Sequence, residues 1–260
     1  MKIGFIGLGN MGTAVLQAIA KLEEHELLLS DYNVKKAEII QEQYGGHITS
    51  NQDIVKEADI VFLGVKPHLL EGLLKDLAKD ISYSSVQLWI SMAAGVPLNQ
   101  LGKYLPLDNI VRMMPNTPVA IGKGMTTFST VKSKNAVLFS DLMAASGEVK
   151  EMPEQLLDAA TAIAGCGPAF VYEWIEAITK SGVQHGLSVV DARFLASQTL
   201  IGAAEMAFYT GKHPAQLRDE VTSPGGATIA GLEAMTQAGF QAAAMAGITR
   251  ALERTRELGQ

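Results

Sequence analysis

The stretch KIGFIGLGNMG, residues 2–12, limits what this chain can fold into more than any other part of it. Gly7, Gly9 and Gly12 are spaced G-x-G-x-x-G. An apolar, β-branched run precedes them, and a helix-forming segment, TAVLQAIAK, follows. A strand that turns sharply through glycines into a helix is the first half of a βαβ unit, the context in which this spacing has a physical meaning. Gly7 permits the tight turn, Gly9 lets the backbone approach a pyrophosphate, and Gly12 lets the helix lie close to the strand. Backbone N–H groups of the loop and the helix start, from Leu8 through Asn10 and Met11, then face an anion. Lys2, the apolar run and Ala18-Ile19-Ala20 also outline a secretion signal. The glycines and Asn10 break that apolar run, and the dinucleotide loop is the better reading.

The pattern set by this unit continues to about residue 152. ELLLSD (26–31), DIVFLGV (59–65), VQLWISM (86–92) and NIVRMM (109–114) read as buried strands. Helical segments lie near 10–22 and 33–44 and after Pro67. GMTTFST (124–130) and EVKEM (148–152) are weaker strand candidates. Apolar strands alternating with helices predict a mostly parallel sheet covered on both faces. The fold class is therefore α/β: an N-terminal dinucleotide-binding domain over residues 1–152, with a different domain after it.

Ligands of such sheets bind beyond the carboxyl ends of the strands. Asp31 ends the second strand, where an acid accepts hydrogen bonds from the adenosine ribose and repels a 2′-phosphate. That favours NADH, whereas Lys35 and Lys36 just beyond would offset the repulsion. A second reading makes Asp31 the cap of the helix starting near Asn33. Val65, Lys66 and Pro67 close the strand at 59–65, and Lys66 reads equally as a cofactor contact or a solvated loop lysine. Ala93 and Ala94 follow the next strand and are small enough for a nicotinamide ring to approach. Asn116 and Thr117 stand between two prolines, in a stiff turn.

From Pro153 the strand signals stop, and residues 153–260 read as an all-helical domain. Segments near 154–164, 168–185, 189–210, 213–221, 227–238 and 240–258 are helical, with Gly, Pro, Ser and Asp at their ends. Several, such as SQTLIGAAEMAFY, are apolar on nearly every side and must be buried on several faces. About 105 residues cannot hide that much apolar surface, so this half is expected to pack against a second copy of itself. Ser223-Pro224-Gly225-Gly226, followed by Ala227 and Thr228, interrupts the helices. Pro224 ends one helix, and the glycines start the next without side-chain bulk. The open N–H groups there suit a small carboxylate. An ordinary loop with Thr228 as a cap is the alternative.

Composition removes several functions. The formal net charge of -6 argues against nucleic-acid binding. No apolar run approaches the ~20 residues needed to cross a bilayer. The single cysteine, Cys166, precludes an intrachain disulfide and fits a cytoplasmic setting. The five histidines show no metal-ligand spacing, so no metal is expected.

FIGLGNMG, GVKPH, SMAAGV, RMMPNTP, GCGPAF, HPAQLRDEVTSPGGATIAGLE and RTREL, in this order, resemble the pyrroline-5-carboxylate reductases nearly end to end. The resemblance implies a Rossmann domain followed by a helical domain that interlocks in a homodimer, with larger assemblies in some members. It implies NADPH- or NADH-dependent reduction of the cyclic imine Δ1-pyrroline-5-carboxylate to L-proline, the last step of proline biosynthesis. It implies that Ser223, Gly225, Gly226 and Ala227 hold the substrate carboxylate and that Thr228, the expected catalytic residue, reaches the ring nitrogen. Family cofactor contacts map to the glycine loop, Asn51, Val65, Lys66 and Pro67. Many relatives have a serine where this chain has Cys166. An acid at Asp31 is less typical of the NADPH-preferring members.

Overall fold

The computed structural model describes residues 1–22 and 24–258. It divides into two compact units. One comprises Met1–Pro168 with Arg250–Gln260, the other Ala169–Thr249.

The first unit is a doubly wound sheet. Its strands are β1 (Lys2–Ile6), β2 (Glu26–Ser30), β3 (His47–Ile48), β4 (Ile60–Leu63), β5 (Leu88–Ser91), β6 (Ile110–Met114), β7 (Gly124–Thr130) and β8 (Gly147–Glu151). They lie in the order β3-β2-β1-β4-β5-β6-β7-β8. All neighbours are parallel except β6 and β7. The helices of this unit are α1 (Asn10–Ala20), α2 (Val34–Tyr44), α3 (Asn51–Glu57), α4 (Pro67–Asp76), α5 (Ala78–Ser82), α6 (Leu98–Leu101), α7 (Ser133–Met143) and α8 (Leu157–Ala160).

The alternation of side chains along each strand builds a core on either face of this sheet. Ile3, Phe5, Ile60, Phe62, Leu88 and Ile90 pack with α1, α2 and α7. Ile6, Val61, Leu63 and Trp89, from the same strands, pack with α3, α4 and α6 on the other face. Phe5 and Phe62 stand opposite each other in register and stack at 4.8 Å. On the α3 face Gly4 leaves room for Ile54, whose side chain occupies the place of a Cβ. The strands expected from the sequence form with ends shifted by a few residues, and the weak candidate at 124–130 is a strand over its whole length. The two-residue β3 carries no periodicity of its own. α7 sets Ala136, Phe139, Leu142 and Met143 at helical spacing against the sheet.

The second unit is helical: α9 (Gly167–Gln184) from Ala169 on, α10 (Val189–Thr210), α11 (Pro214–Glu220), α12 (Ala227–Gln237) and α13 (Phe240–Leu258) as far as Thr249. Ser188 caps α10 by accepting from the Asp191 N–H, and Gly211 ends it in the left-handed region. Trp174 on α9 packs at 4.3 Å on Phe240 at the start of α13. Among the described residues no side chain of α9, α11 or α12 is buried, and α10 buries only Ala192 and Ala196. Phe194, Leu195, Met206, Phe208 and Tyr209 of α10 are exposed. So much apolar surface on one chain marks an association surface.

The compact units part at Pro168, later than the change of sequence pattern at Pro153. The reason is an ion cluster and an amide. Arg112, in the middle of β6, reaches Glu154 at 3.4 Å and Asp158 at 2.6 Å. Asn116 donates to the Ala164 carbonyl at 3.0 Å. Residues 154–165 are helical, as read from the sequence, yet these bonds fasten them to the sheet.

Candidate active site

The chain leaves β1, builds β2 and β3 on one side, and returns to place β4 on the other side of β1. This reversal opens a crevice beyond the carboxyl ends of β1 and β4, the usual ligand position in such sheets. Gly7 follows β1 with φ +95°, and Gly64 follows β4. Their backbones are in contact: a Cβ on Gly7 would stand 2.8 Å from the Gly64 carbonyl carbon, and one on Gly64 or Gly12 would run into the Gly7 carbonyl. Gly64 is part of the construction that the sequence motif does not mark. Its signal is a glycine directly after an apolar strand.

Gly9 is the N-cap of α1 with extended backbone, and no side chain caps the helix. The first helical bond is Thr13 N–H to the Gly9 carbonyl. The N–H groups of Asn10, Met11 and Gly12 precede it and stay open to an anion. The Thr13 hydroxyl donates to the Leu8 carbonyl at 2.9 Å and holds the loop in shape.

Asp31 is fixed at both oxygens. Oδ2 accepts the Leu8 N–H at 2.6 Å, and Oδ1 accepts the Asn33 N–H at 2.9 Å. It is not the helix cap; that role falls to Asn33, whose side chain accepts from the Lys36 N–H. Asn51 opens α3 on the same edge of the sheet, because β3 pairs parallel with β2 and ends just before it. Its Oδ1 is buried and, among the described residues, has no hydrogen-bond partner. A buried, unpaired acceptor in a ligand crevice matches a donor that arrives with the ligand.

Lys66 is the N-cap of α4, with Pro67 at the first helical position, and its exposed side chain makes no ion pair among the described residues. Val65 is half-buried beside Gly7. Ala93 is buried, and its N–H donates to the Ser91 hydroxyl at 3.3 Å. Ala94 and Gly95 form the surface of that turn. Asn116 is 7% exposed and already engaged at both ends of its amide. Besides its bond to Ala164 it accepts the Met125 N–H at 2.9 Å. Ala164 belongs to a π-helical turn, Thr161–Gly165, closed by the Cys166 N–H to the Thr161 carbonyl. One N–H of the Asn116 amide is left for a ligand.

The Arg112 cluster has no place in the motif reading. Arg112 is 3% exposed, and Glu154, one of its partners, also accepts the Leu98 N–H at 2.6 Å. The cluster thus anchors the start of α6 and the end of the turn holding Ala93 and Ala94. The signal in the sequence is an arginine inside an apolar strand, because a buried guanidinium requires carboxylate partners.

In the helical unit, Ser223-Pro224-Gly225-Gly226 forms a turn before α12. Gly225 has φ +68°, where a side chain would be strained. Gly226 donates its N–H to the Ser223 carbonyl at 3.1 Å, and the Ser223 hydroxyl occupies the place of a Cβ on Gly226. Gly226 is the N-cap of α12 and provides no side-chain cap, and the first α-helical bond is Ala230 N–H to the Gly226 carbonyl. The N–H groups of Ala227, Thr228 and Ile229 precede that bond. Five threonines of this unit, Thr179, Thr210, Thr222, Thr236 and Thr249, donate to the carbonyl four residues earlier. Thr228 is in the first turn, where no helical carbonyl lies behind it. Its hydroxyl makes no hydrogen bond among the described residues.

Comparison with known proteins matches both halves. Residues 154–258 match the family model described as pyrroline-5-carboxylate reductase dimerisation, and residues 2–95 match that described as NADP oxidoreductase coenzyme F420-dependent. A pyrroline-5-carboxylate reductase of Methanosarcina acetivorans is 38% identical over all of this chain and 98% of its own length. The chain belongs to the pyrroline-5-carboxylate reductase family. The Arabidopsis thaliana pyrroline-5-carboxylate reductase is 35% identical over all of this chain and 96% of its own. The crystal structure of the Plasmodium falciparum pyrroline carboxylate reductase, with NADP bound, superimposes with a TM-score of 0.88 at 31% identity, covering all of this chain and 98% of that one. The exposed helical unit of this pyrroline-5-carboxylate reductase family member lies within the region matched by the dimerisation model. Among the described residues no helix is long and apolar enough to cross a membrane.

Proposed function

We propose that this protein reduces Δ1-pyrroline-5-carboxylate to L-proline at the expense of NADH or NADPH, in the cytoplasm, as a homodimer or an assembly of dimers. Full-length membership of the reductase family carries this reading. The open turns before α1 and α12 supply its chemistry. Residues 1–152 serve the dinucleotide, and residues 153–260 serve the substrate and the dimer.

A bound nicotinamide cofactor would supply the hydride for the imine carbon, with a proton from solvent or from the protonated substrate completing the ring N–H. The residues proposed to hold the cofactor are Gly7, Leu8, Gly9, Asn10, Met11 and Gly12 around its pyrophosphate, and Asp31 and Asn51 beside its ribose. Val65, Lys66, Pro67, Ala93, Ala94 and Asn116 line the rest of the crevice. The orphaned Asn51 Oδ1 and the close-packed glycines suit such a group.

The chain itself binds and orients. Ser223, Gly225, Gly226 and Ala227 shape a turn with no side chain in the way. The carboxylate takes the N–H groups at the α12 start, where the helix end adds partial positive charge. Thr228 holds the ring nitrogen with its free hydroxyl and so orients the imine. An aliphatic hydroxyl is a weak acid, so Thr228 positions a proton and does not supply one.

The deciding experiment follows loss of 340 nm absorbance with purified protein and Δ1-pyrroline-5-carboxylate. Turnover with either nucleotide establishes the reaction, whereas nucleotide binding without turnover overturns it. Thr228→Ala keeps the backbone N–H that binds the carboxylate and loses only the hydroxyl. One hydrogen bond is worth about 1–1.5 kcal/mol, so kcat is expected to fall roughly tenfold. The affinity for the dinucleotide should stay the same. Unchanged kcat would remove Thr228 from the reaction.

A further inference from the structure

The family model and the Plasmodium relative are both described with NADP. We propose that Asp31 makes this chain selective for NADH, by presenting a carboxylate that cannot move aside to admit a 2′-phosphate. The proposal rests on the reading that the crevice holds a nicotinamide dinucleotide.

Two backbone anchors from different elements carry the argument. Leu8 lies inside the glycine loop and Asn33 caps α2, and each donates its N–H to a different oxygen of Asp31. Rotating the carboxylate away would break both bonds, the one from the part-buried Leu8 N–H being 2.6 Å long. Each carboxylate oxygen accepts more than one hydrogen bond, so the remaining lone pairs stay available for ribose hydroxyls. A ribose 2′-OH and 3′-OH are donors and match this acceptor.

A 2′-phosphate matches it poorly. It carries close to two negative charges at neutral pH and offers acceptors only. It would meet the Asp31 carboxylate held by the Leu8 and Asn33 N–H groups. Lys35 and Lys36 are the nearby cations in the sequence. Lys35 is exposed and Lys36 half-buried, and neither makes an ion pair among the described residues. A mobile, hydrated lysine loses side-chain entropy on ordering, and its charge is screened over about 8 Å in physiological salt. The fixed carboxylate therefore outweighs them.

The test is equilibrium titration of the intact protein with NADH and with NADPH by calorimetry, separate from any turnover. The parent is expected to bind NADH at least about tenfold tighter, the equivalent of one lost hydrogen bond to a charged group. The gap should narrow at about 0.5 M salt, because part of it is charge repulsion. Asp31→Ser removes the charge and leaves a donor for a phosphate, and it should bring the two affinities level or reverse them. Asp31→Asn keeps the shape and one acceptor. It serves as the second variant if loss of both anchors unfolds the loop, with the same direction expected. Equal or tighter binding of NADPH by the parent, or an unchanged ratio in a folded Asp31 variant, would overturn the proposal. If the parent binds neither nucleotide, the dinucleotide reading falls with it. Selective NADH binding without reduction of the imine would sink the reductase reading and leave Asp31's role standing.

Discussion

Gly9→Val is expected to fold as the parent does and to lose dinucleotide binding by about a hundredfold or more. The three loop glycines look alike in the sequence and differ in what surrounds them. A Cβ on Gly7 would meet the Gly64 backbone after β4, one on Gly12 would meet the Gly7 carbonyl of its own loop, and Gly7 also has positive φ. Those two are glycines because the fold requires it. Gly9 has φ -60° and ψ -178°, which any residue adopts, and its nearest neighbour to a Cβ is the Gly64 carbonyl oxygen at 3.9 Å. The polypeptide alone gives no reason for glycine there. A ligand does, because a branched side chain at the helix start would stand where the pyrophosphate must approach. Losing two charge-assisted hydrogen bonds at about 1.5 kcal/mol or more each gives the hundredfold figure. Gly12→Val is the comparison. It should lower the melting temperature, since its side chain is forced into the Gly7 carbonyl, at a cost of about 1–3 kcal/mol or more. Normal nucleotide affinity in a folded Gly9→Val protein would show that the pyrophosphate does not pass over this residue.

The same contrast explains how much of the molecule could be read from the chain alone. β1 with its glycines, β4, β5 and β6 are apolar runs bounded by turn residues, and such runs leave one structural option. The helices from Gly167 onward announce themselves by their caps: Ser188, Gly211, Pro214 and the glycine pair before Ala227. What stayed hidden depends on partners far away in sequence. Phe139 of α7 packs against Phe128 of β7 at 4.6 Å, a contact that the local sequence does not disclose. Asn116 looks like a ligand residue between two prolines. Its amide joins Ala164 and Met125, and Ala164 belongs to a π-turn with no sequence signature. Asp31 allowed two readings from spacing. The capping alternative fails because Asn33 caps the helix, and it took the positions of Leu8 and Asn33 to show how firmly the carboxylate is held.

Arg112→Leu is expected to produce the largest loss of stability of any single substitution considered. Arg112 is buried within β6, and its guanidinium bonds to two carboxylates with side chains 30% and 27% exposed. An isolated buried charge is costly, and removing one member of such a cluster leaves the others unpaired, typically at about 3–5 kcal/mol. The variant leaves Glu154 and Asp158 beside an apolar side chain. For a unit of this size that corresponds to a melting temperature lower by roughly 10 °C. The effect should reach the crevice as well. Glu154 also holds the Leu98 N–H, and Leu98 begins α6 just after the turn that carries Ala93 and Ala94. A loosened Glu154 frees that turn, so KM for the dinucleotide should rise along with the fall in stability. Adding Glu154→Gln and Asp158→Asn to Arg112→Leu removes the stranded charges and retains groups that accept hydrogen bonds. The triple variant should recover part of the lost stability, because the penalty lies in the unpaired carboxylates more than in the missing ion pairs. Thermal unfolding of the parent, the single and the triple variant separates these contributions. A single variant that melts with the parent would mean that water reaches the cluster freely and that residues 154–158 are held to the sheet by packing alone.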